Sequence, residues 1–220
     1  MQLSKIGSKI CRPIANKVDG STASGGGGGG TTVTYNVSAS LDCGVFRKTQ
    51  YYDNSVPTEY DDIQSGYDDR KVGLDYSSWS NRYRFYQGFY RFLSVAVAQG
   101  ATIDSAYLKI EFAAGTERTF RISGFDLDNA SQPTSASEGA HSNHSAAYID
   151  FTIPEDAGVS TSPDIKTIVQ EIVNRSGWSS ENALMLGLWM SSSQSDDYDR
   201  TFNTGHDSGD TAPQLEITYS

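Results

Sequence analysis

Cysteine, histidine and methionine are scarce in this chain of 220 residues, with two, three and three respectively. Two cysteines, Cys11 and Cys43, are too few for a disulfide framework. With no Cys-x-x-Cys spacing to hold zinc, they read as two unpaired small apolar residues. Long apolar runs are missing as well. Nowhere do about 18 apolar residues follow one another, so no membrane-spanning helix is expected. The N-terminal MQLSKIGSKICRPIANK carries spaced basic residues but no continuous apolar stretch. That argues against a secretory leader and for a chain made and first folded in a cytoplasm. Basic residues are also few: 17 Lys and Arg against 27 Asp and Glu leave a formal net charge of −10. Such a surface repels phosphate backbones, which excludes general nucleic-acid binding.

The aromatic residues are mostly Tyr (13) and Phe (9), types that suit pleated, half-buried surfaces and point to strands rather than helices. Residues 1–24 stand apart. Ile6, Ile10 and Ile14 recur every four residues with Lys5, Lys9 and Arg12 between them, until Pro13 interrupts the pattern. Six glycines, Gly25 to Gly30, follow and read as a flexible linker over residues 25–32. A basic arm before an acidic body suits a tether or docking peptide. From Thr32 the period changes to two. Residues 32–40, 91–97, 106–112, 118–124, 146–153, 184–190 and 214–219 alternate or run apolar between Gly, Pro, Asn and Asp clusters, as antiparallel strands do. One helix is expected over residues 163–174. Ser162 is its cap candidate, Pro163 its first position, and Ile165, Ile168, Val169, Ile172 and Val173 its core face.

Chemistry-bearing residues form no catalytic constellation in the sequence. Asp61–Asp62, Asp68–Asp69 and Asp196–Asp197–Asp199 read as solvated loop acids, and nothing pairs a general acid with a base or nucleophile. Asp126, Asp128 and Asn129 offer alternating oxygens, a weak calcium candidate that lacks the glycine and distal glutamate of an EF-hand. His141, Asn143 and His144 read as decoration of a Gly/Ser-rich loop rather than as zinc ligands. WSNRYRFYQGFYRF, from Trp79, is the most aromatic stretch. Trp79, Tyr83, Tyr86 and Tyr90 are its candidates for a subunit interface or glycan platform, set against a plain buried strand. Trp178, after the helix, is expected to plug the core.

Several separated motifs together resemble a known group. SPDIKTIVQEIVNRSGWSSENAL, from Ser162 to Leu184, is similar to a segment of bacterial and phage jelly-roll modules in which a helix of the form IVQEIVNR precedes GWSSGNAL. QGATIDSAYL from Gln99, FRISGFDLDNA from Phe120 and APQLEITY from Ala212 keep that order. Over residues 85–220 the chain thus resembles DNRLRE modules and carbohydrate-binding jelly rolls, with Glu181 standing where that group has glycine. The resemblance implies an antiparallel jelly-roll β-sandwich over residues 33–220, carrying one amphipathic helix and an extended N-terminal arm. It also implies binding or display rather than catalysis. The expected function is a non-catalytic virion structural protein, a capsid decoration, cement or fibre-like component anchored by its arm. Its partners would be capsid or tail and neck proteins and further copies of itself. The alternative is a carbohydrate-binding module for cell-surface or extracellular polysaccharide. No cofactor is expected beyond the calcium candidate.

Overall fold

The computed structural model of the chain describes residues 30–65, 69–194, 197–204 and 211–220. The arm with Lys5, Ile6, Lys9, Ile10, Arg12 and Ile14, the glycines 25–29, and Cys11, Asp68, Asp196 and His206 lie outside the described residues.

Twelve strands and one α-helix are formed among the described residues. The strands are β1 (Thr31–Asn36), β2 (Cys43–Tyr51), β3 (Asp62–Ser65), β4 (Asp69–Ser77), β5 (Arg82–Val95) and β6 (Ile103–Phe112). They continue with β7 (Arg118–Phe125), β8 (His144–Ile153), β9 (Gly158–Thr161), β10 (Asn182–Trp189), β11 (Tyr198–Asn203) and β12 (Gln214–Tyr219), and α1 (Lys166–Val173) lies between β9 and β10. Every ladder is antiparallel, in the order β1-β12-β6-β11-β4-β5-β10-β7-β8. β5 belongs to both halves. Its first residues pair with β4, its last with β10, and β2 runs along its other edge.

The two halves face each other across one core. Leu108, Ile110, Leu215 and Phe202 of the first pack with Phe92, Ile122, Leu186 and Leu188 of the second, and Tyr90 meets Phe202 edge-on at 5.4 Å. The alternation read from the sequence sets this up, since β10 sends Leu184, Leu186 and Leu188 inward. The all-β sandwich with a single helix is therefore what the described residues form. β1 begins at Thr31, opposite Tyr219, so the last two residues assigned to the linker are strand. Trp178 plugs the core as expected and donates Nε1–H to the Val97 carbonyl at 2.9 Å.

The helix starts later than its sequence signals suggested, and the reason is the edge of β6. Beyond Thr161 the chain leaves the β6 ladder, and the next β6 amides need acceptors. Ser162 Oγ accepts from Leu108 N at 2.9 Å and Asp164 Oδ1 from Ala106 N at 3.0 Å, while Ile165 N donates to the Ala106 carbonyl at 2.8 Å. Ser162 is thus a strand-edge substitute; Ile165 stands at the cap position without a side-chain bond, and Asp164 just before it accepts from Lys166 N at 3.0 Å. Ile168, Val169, Ile172 and Val173 then close the space between β6, β7 and β8. Glu171 reaches past the helix and accepts from Ala146 N and Ala147 N, both at 2.8 Å, covering part of the β8 edge.

The other closure is made by a buried cation. Arg200 of β11 is 2% exposed and lies over the Phe112 ring, with no carboxylate bonded to it among the described residues. Its guanidinium donates to the carbonyls of Ala113 at 2.6 Å, Thr116 at 3.2 Å and Pro154, tying two connecting loops to the sheet.

Candidate functional site

Strand direction gives the sandwich two unlike ends. β1, β6 and β4 run one way, β12, β11 and β5 the other, and β11 extends beyond β6 because the two meet only at Phe202 and Phe112. Thr31, where the arm joins, therefore lies at one end beside Tyr219. The turn between β4 and β5 lies at the other. β5 spans the distance between them: fourteen residues at about 3.3 Å each make a rod of roughly 45 Å. At its far end Ala96 accepts from Tyr219 Oη and donates to Tyr35 Oη.

The tip of the β2–β5–β4 ribbon is aromatic. Trp79 is 96% exposed, Tyr52 79% and Tyr51 59%, and Arg82 sits between Tyr51 and Ser77 in the ladder. The tip is also well tied. Tyr52 N donates to the Asn81 carbonyl at 3.0 Å, Tyr76 Oη to Asn81 Oδ1 at 3.3 Å, and Tyr76 stacks on Tyr83 at 4.5 Å. Tyr52 and Asn81 have φ of 59° and 44°, left-handed values that cost a tyrosine energy and are held by these bonds. Below the tip, Arg84 pairs with Asp75 at 2.8 Å and Lys71 with Asp199 at 2.8 Å.

Of the four aromatics named as candidates for an interface or glycan platform, only Trp79 is presented fully to solvent. Tyr83 and Tyr86 are half-buried, and Tyr90 is entirely buried in the core. Tyr90 is excluded from any surface because β5 carries it between β2 and β10, facing Phe202. Tyr51 and Tyr52 take its place, and a sequence reading that lacked β2 could not find them. Their adjacency was the available signal: neighbouring residues of a strand face opposite ways, so two bulky rings just before Asp53-Asn54-Ser55 cannot both be core.

Asp126 and Asp128 both hold the Arg175 guanidinium, Asp128 through Nε at 2.6 Å, and Asn129 Oδ1 accepts from Ala183 N at 2.8 Å. The oxygens proposed for calcium are therefore turned to a guanidinium and an amide. Other candidate acids are partnered too: Asp61 by Lys48, Asp62 by Arg47, and Asp197 by the Tyr76 amide.

The histidines are a correction. His141 and His144 are part of the fold, under a second layer. On the outer face of β2, β5, β7 and β10, Phe46, Phe89, Phe125 and Met185 make a smaller core with Tyr60. The chain from 126 to 143 covers it, placing Ala130 and Ala136 on that core and backbone at Gly139 against the Phe46 ring. At its end the His141 ring lies tilted against Trp189 at 4.2 Å and meets Tyr60 Oη at 3.2 Å. His144 lies on Phe125 at 4.3 Å, 5.9 Å from His141. Ser123 Oγ accepts from Trp189 Nε1 at 3.0 Å and lies 2.6 Å from His144 Nδ1. The Gln87 amide turns its Nε2 to His144 Nε2 at 3.0 Å, so Nε2 accepts and the imidazole proton sits on Nδ1, towards Ser123 Oγ. Burial pushes His144 down to about 3, helped by His141, and His141 itself down to about 4. The Ser123–His144 pair has the composition of a nucleophile and base. Ser123, however, is 1% exposed and no substrate atom can reach it.

The described residues thus form an all-β sandwich with an exposed aromatic tip. No family model matches the chain, and no curated protein matches it.

Proposed function

We propose that this chain is a non-catalytic attachment and display module, a virion structural protein held to a particle by its N-terminal arm and presenting the aromatic tip outward. The observation that carries the reading is the polarity of the sandwich. The strand that receives the arm begins at one end, and the exposed rings of Tyr51, Tyr52 and Trp79 stand at the other, linked by β5. A chain tethered at its base presents such a tip to whatever the particle meets. The basic arm on an acidic body supports docking, and the resemblance to jelly-roll modules of phage proteins supports the setting. The test is deletion of residues 1–24. The truncated chain is expected to fold and stay soluble but fail to join its assembly. Incorporation at normal stoichiometry would move the attachment surface to the sandwich.

A second reading, a module that binds extracellular polysaccharide, is favoured by the tip itself. Exposed ring faces beside Arg82 suit the apolar faces and hydroxyls of sugars. Trp79→Ala with Tyr52→Ala should then abolish retention on a polysaccharide matrix, and retention unchanged by both substitutions would end this reading.

A further inference from the structure

The buried histidine pair has a use that neither reading of the tip requires. The covering chain 126–143 is held unevenly. Its first part is pinned by Arg175 on Asp126 and Asp128, by Arg91 Nε on the Ala130 carbonyl at 2.7 Å, and by Ala130 N on the Ala183 carbonyl at 2.9 Å. From 131 onward the ties to the rest of the molecule among the described residues are the packing of Ala136 and Gly139 on the minor core, the Asp126 N bond to the Asn143 carbonyl at 2.7 Å at the segment's end, the His141 N bond to the Thr58 carbonyl at 3.0 Å, and the contacts of the two imidazoles. Bonds such as those of Glu138 to the Thr134 and Ser135 amides, or of Asn143 to the Ser137 and Glu138 carbonyls, stay within the segment and survive its release. The imidazoles are the latch.

We infer that His141 and His144 make the segment 131–143 an acid-released cover: protonating the pair lifts the segment and bares Phe46, Phe89 and Met185 on the outer sheet face. Among the described residues the geometry supplies no counter-charge. Around the pair, β2 offers Arg47 and Lys48, already held by Asp62 and Asp61, and β5 offers Arg91, held by Asp42 at 2.5 Å. Arg121 of β7 and Asp150 of β8 hold each other at 3.3 Å, β10 contributes the neutral Trp189, and Glu59 beside Tyr60 is exposed. Burial raises the Tyr60 phenol, so it stays neutral. Two imidazolium charges 5.9 Å apart would face Gln87, Ser123, Tyr60 and one another.

The sign follows from the two states. With the segment closed the imidazoles titrate at about 4 and about 3; released, they return to the ordinary histidine value near 6.5. Closure is therefore at full strength above pH 6.5 and weakens as pH falls towards those lower values. At pH 5 the opening equilibrium rises by about ten- to thirtyfold for each histidine freed.

Hydrogen exchange on the full chain at pH 7.5 and 5.0, corrected for intrinsic amide rates, tests this. Protection within 131–143 is expected to fall by at least tenfold at pH 5.0 while β6 and β12 keep theirs. The His141→Gln, His144→Gln double variant should lose that pH dependence. Unchanged protection of 131–143 in the parent chain overturns the inference, and so does equal loss in β6 and β12, which would report collapse of the whole sandwich. Should the double variant not fold, the parent chain's regional contrast decides alone.

Discussion

Replacing Arg200 by methionine isolates what a buried guanidinium bonded to loop carbonyls is worth. Methionine keeps most of the side-chain volume beside Phe112 and removes every donor. The carbonyls of Ala113, Thr116 and Pro154 lose their partner. Leaving a buried acceptor unsatisfied costs about 1–3 kcal/mol. Ala113 and Thr116 sit in a loop that can shift towards water, so the lower part of that range applies to them. Removing the charge also recovers its desolvation, which pulls the guanidinium below its ordinary value even here. The net expectation is a loss of about 3 kcal/mol, a large share of the roughly 5–15 kcal/mol that holds a domain together. Urea unfolding followed by circular dichroism reads this as a lower midpoint at unchanged slope. Arg200→Lys should fall between, because one ammonium cannot span carbonyls on two loops. An Arg200→Met chain within about 1 kcal/mol of the parent would refute the reasoning, and would mean that desolvation of the cation cancels its bonds.

Tyr90 offers the opposite case. Its hydroxyl is buried without a partner among the described residues, and burial lifts the phenol well above its usual value. Tyr90→Phe should raise stability by about 1 kcal/mol, seen as a higher melting temperature, and a lowered one would show that the hydroxyl is bonded. Glu171→Ala removes two acceptors from the β8 edge. It should cost about 1–2 kcal/mol and increase self-association in sedimentation, because free edge amides recruit other strands.

Much of the sandwich was legible because one face of each strand is buried, and burial writes itself as alternation. β6, β7, β10 and β12 fall where the period of two placed them, and the helix face of Ile168, Val169, Ile172 and Val173 where the longer period did. Strands β2, β3, β4, β9 and β11 were missed for a physical reason. β4 carries Asp69-Arg70-Lys71 into Gly73 and Asp75, and β11 buries Arg200, so charge stands where the pattern wants a hydrophobe. Their strand character comes from partners distant in the chain: Arg200 opposite Val72 in the ladder, and the Arg200 guanidinium on loop carbonyls. No local window contains those partners.

The site was hidden by a different mechanism. Alternation assigns Ser123, Gly187 and Trp189 correctly to the face away from the main core, and a polar residue on that face normally meets water. Here a Ser- and Gly-rich stretch returns over the same face and makes it an interior. A segment of that composition reads as loop, and it is loop; composition carries no mark of what lies beneath it. The histidines show the cost of stopping there. His141 and His144 belong to the covering chain and the strand that follows it, so the sequence places them beside glycine and serine, whereas the fold places them on Phe125, Trp189 and Ser123. Gly187 records the same approach from the sheet side, since a Cβ there would stand 2.7 Å from the His144 ring. Substituting Gly187 by alanine should therefore push the His144 ring from its seat while leaving the main core untouched, and the cover should loosen at neutral pH as it otherwise does in acid. Hydrogen exchange of 131–143 at pH 7.5 checks this, and a Gly187→Ala chain with parental protection there would show that His144 does not hold the cover.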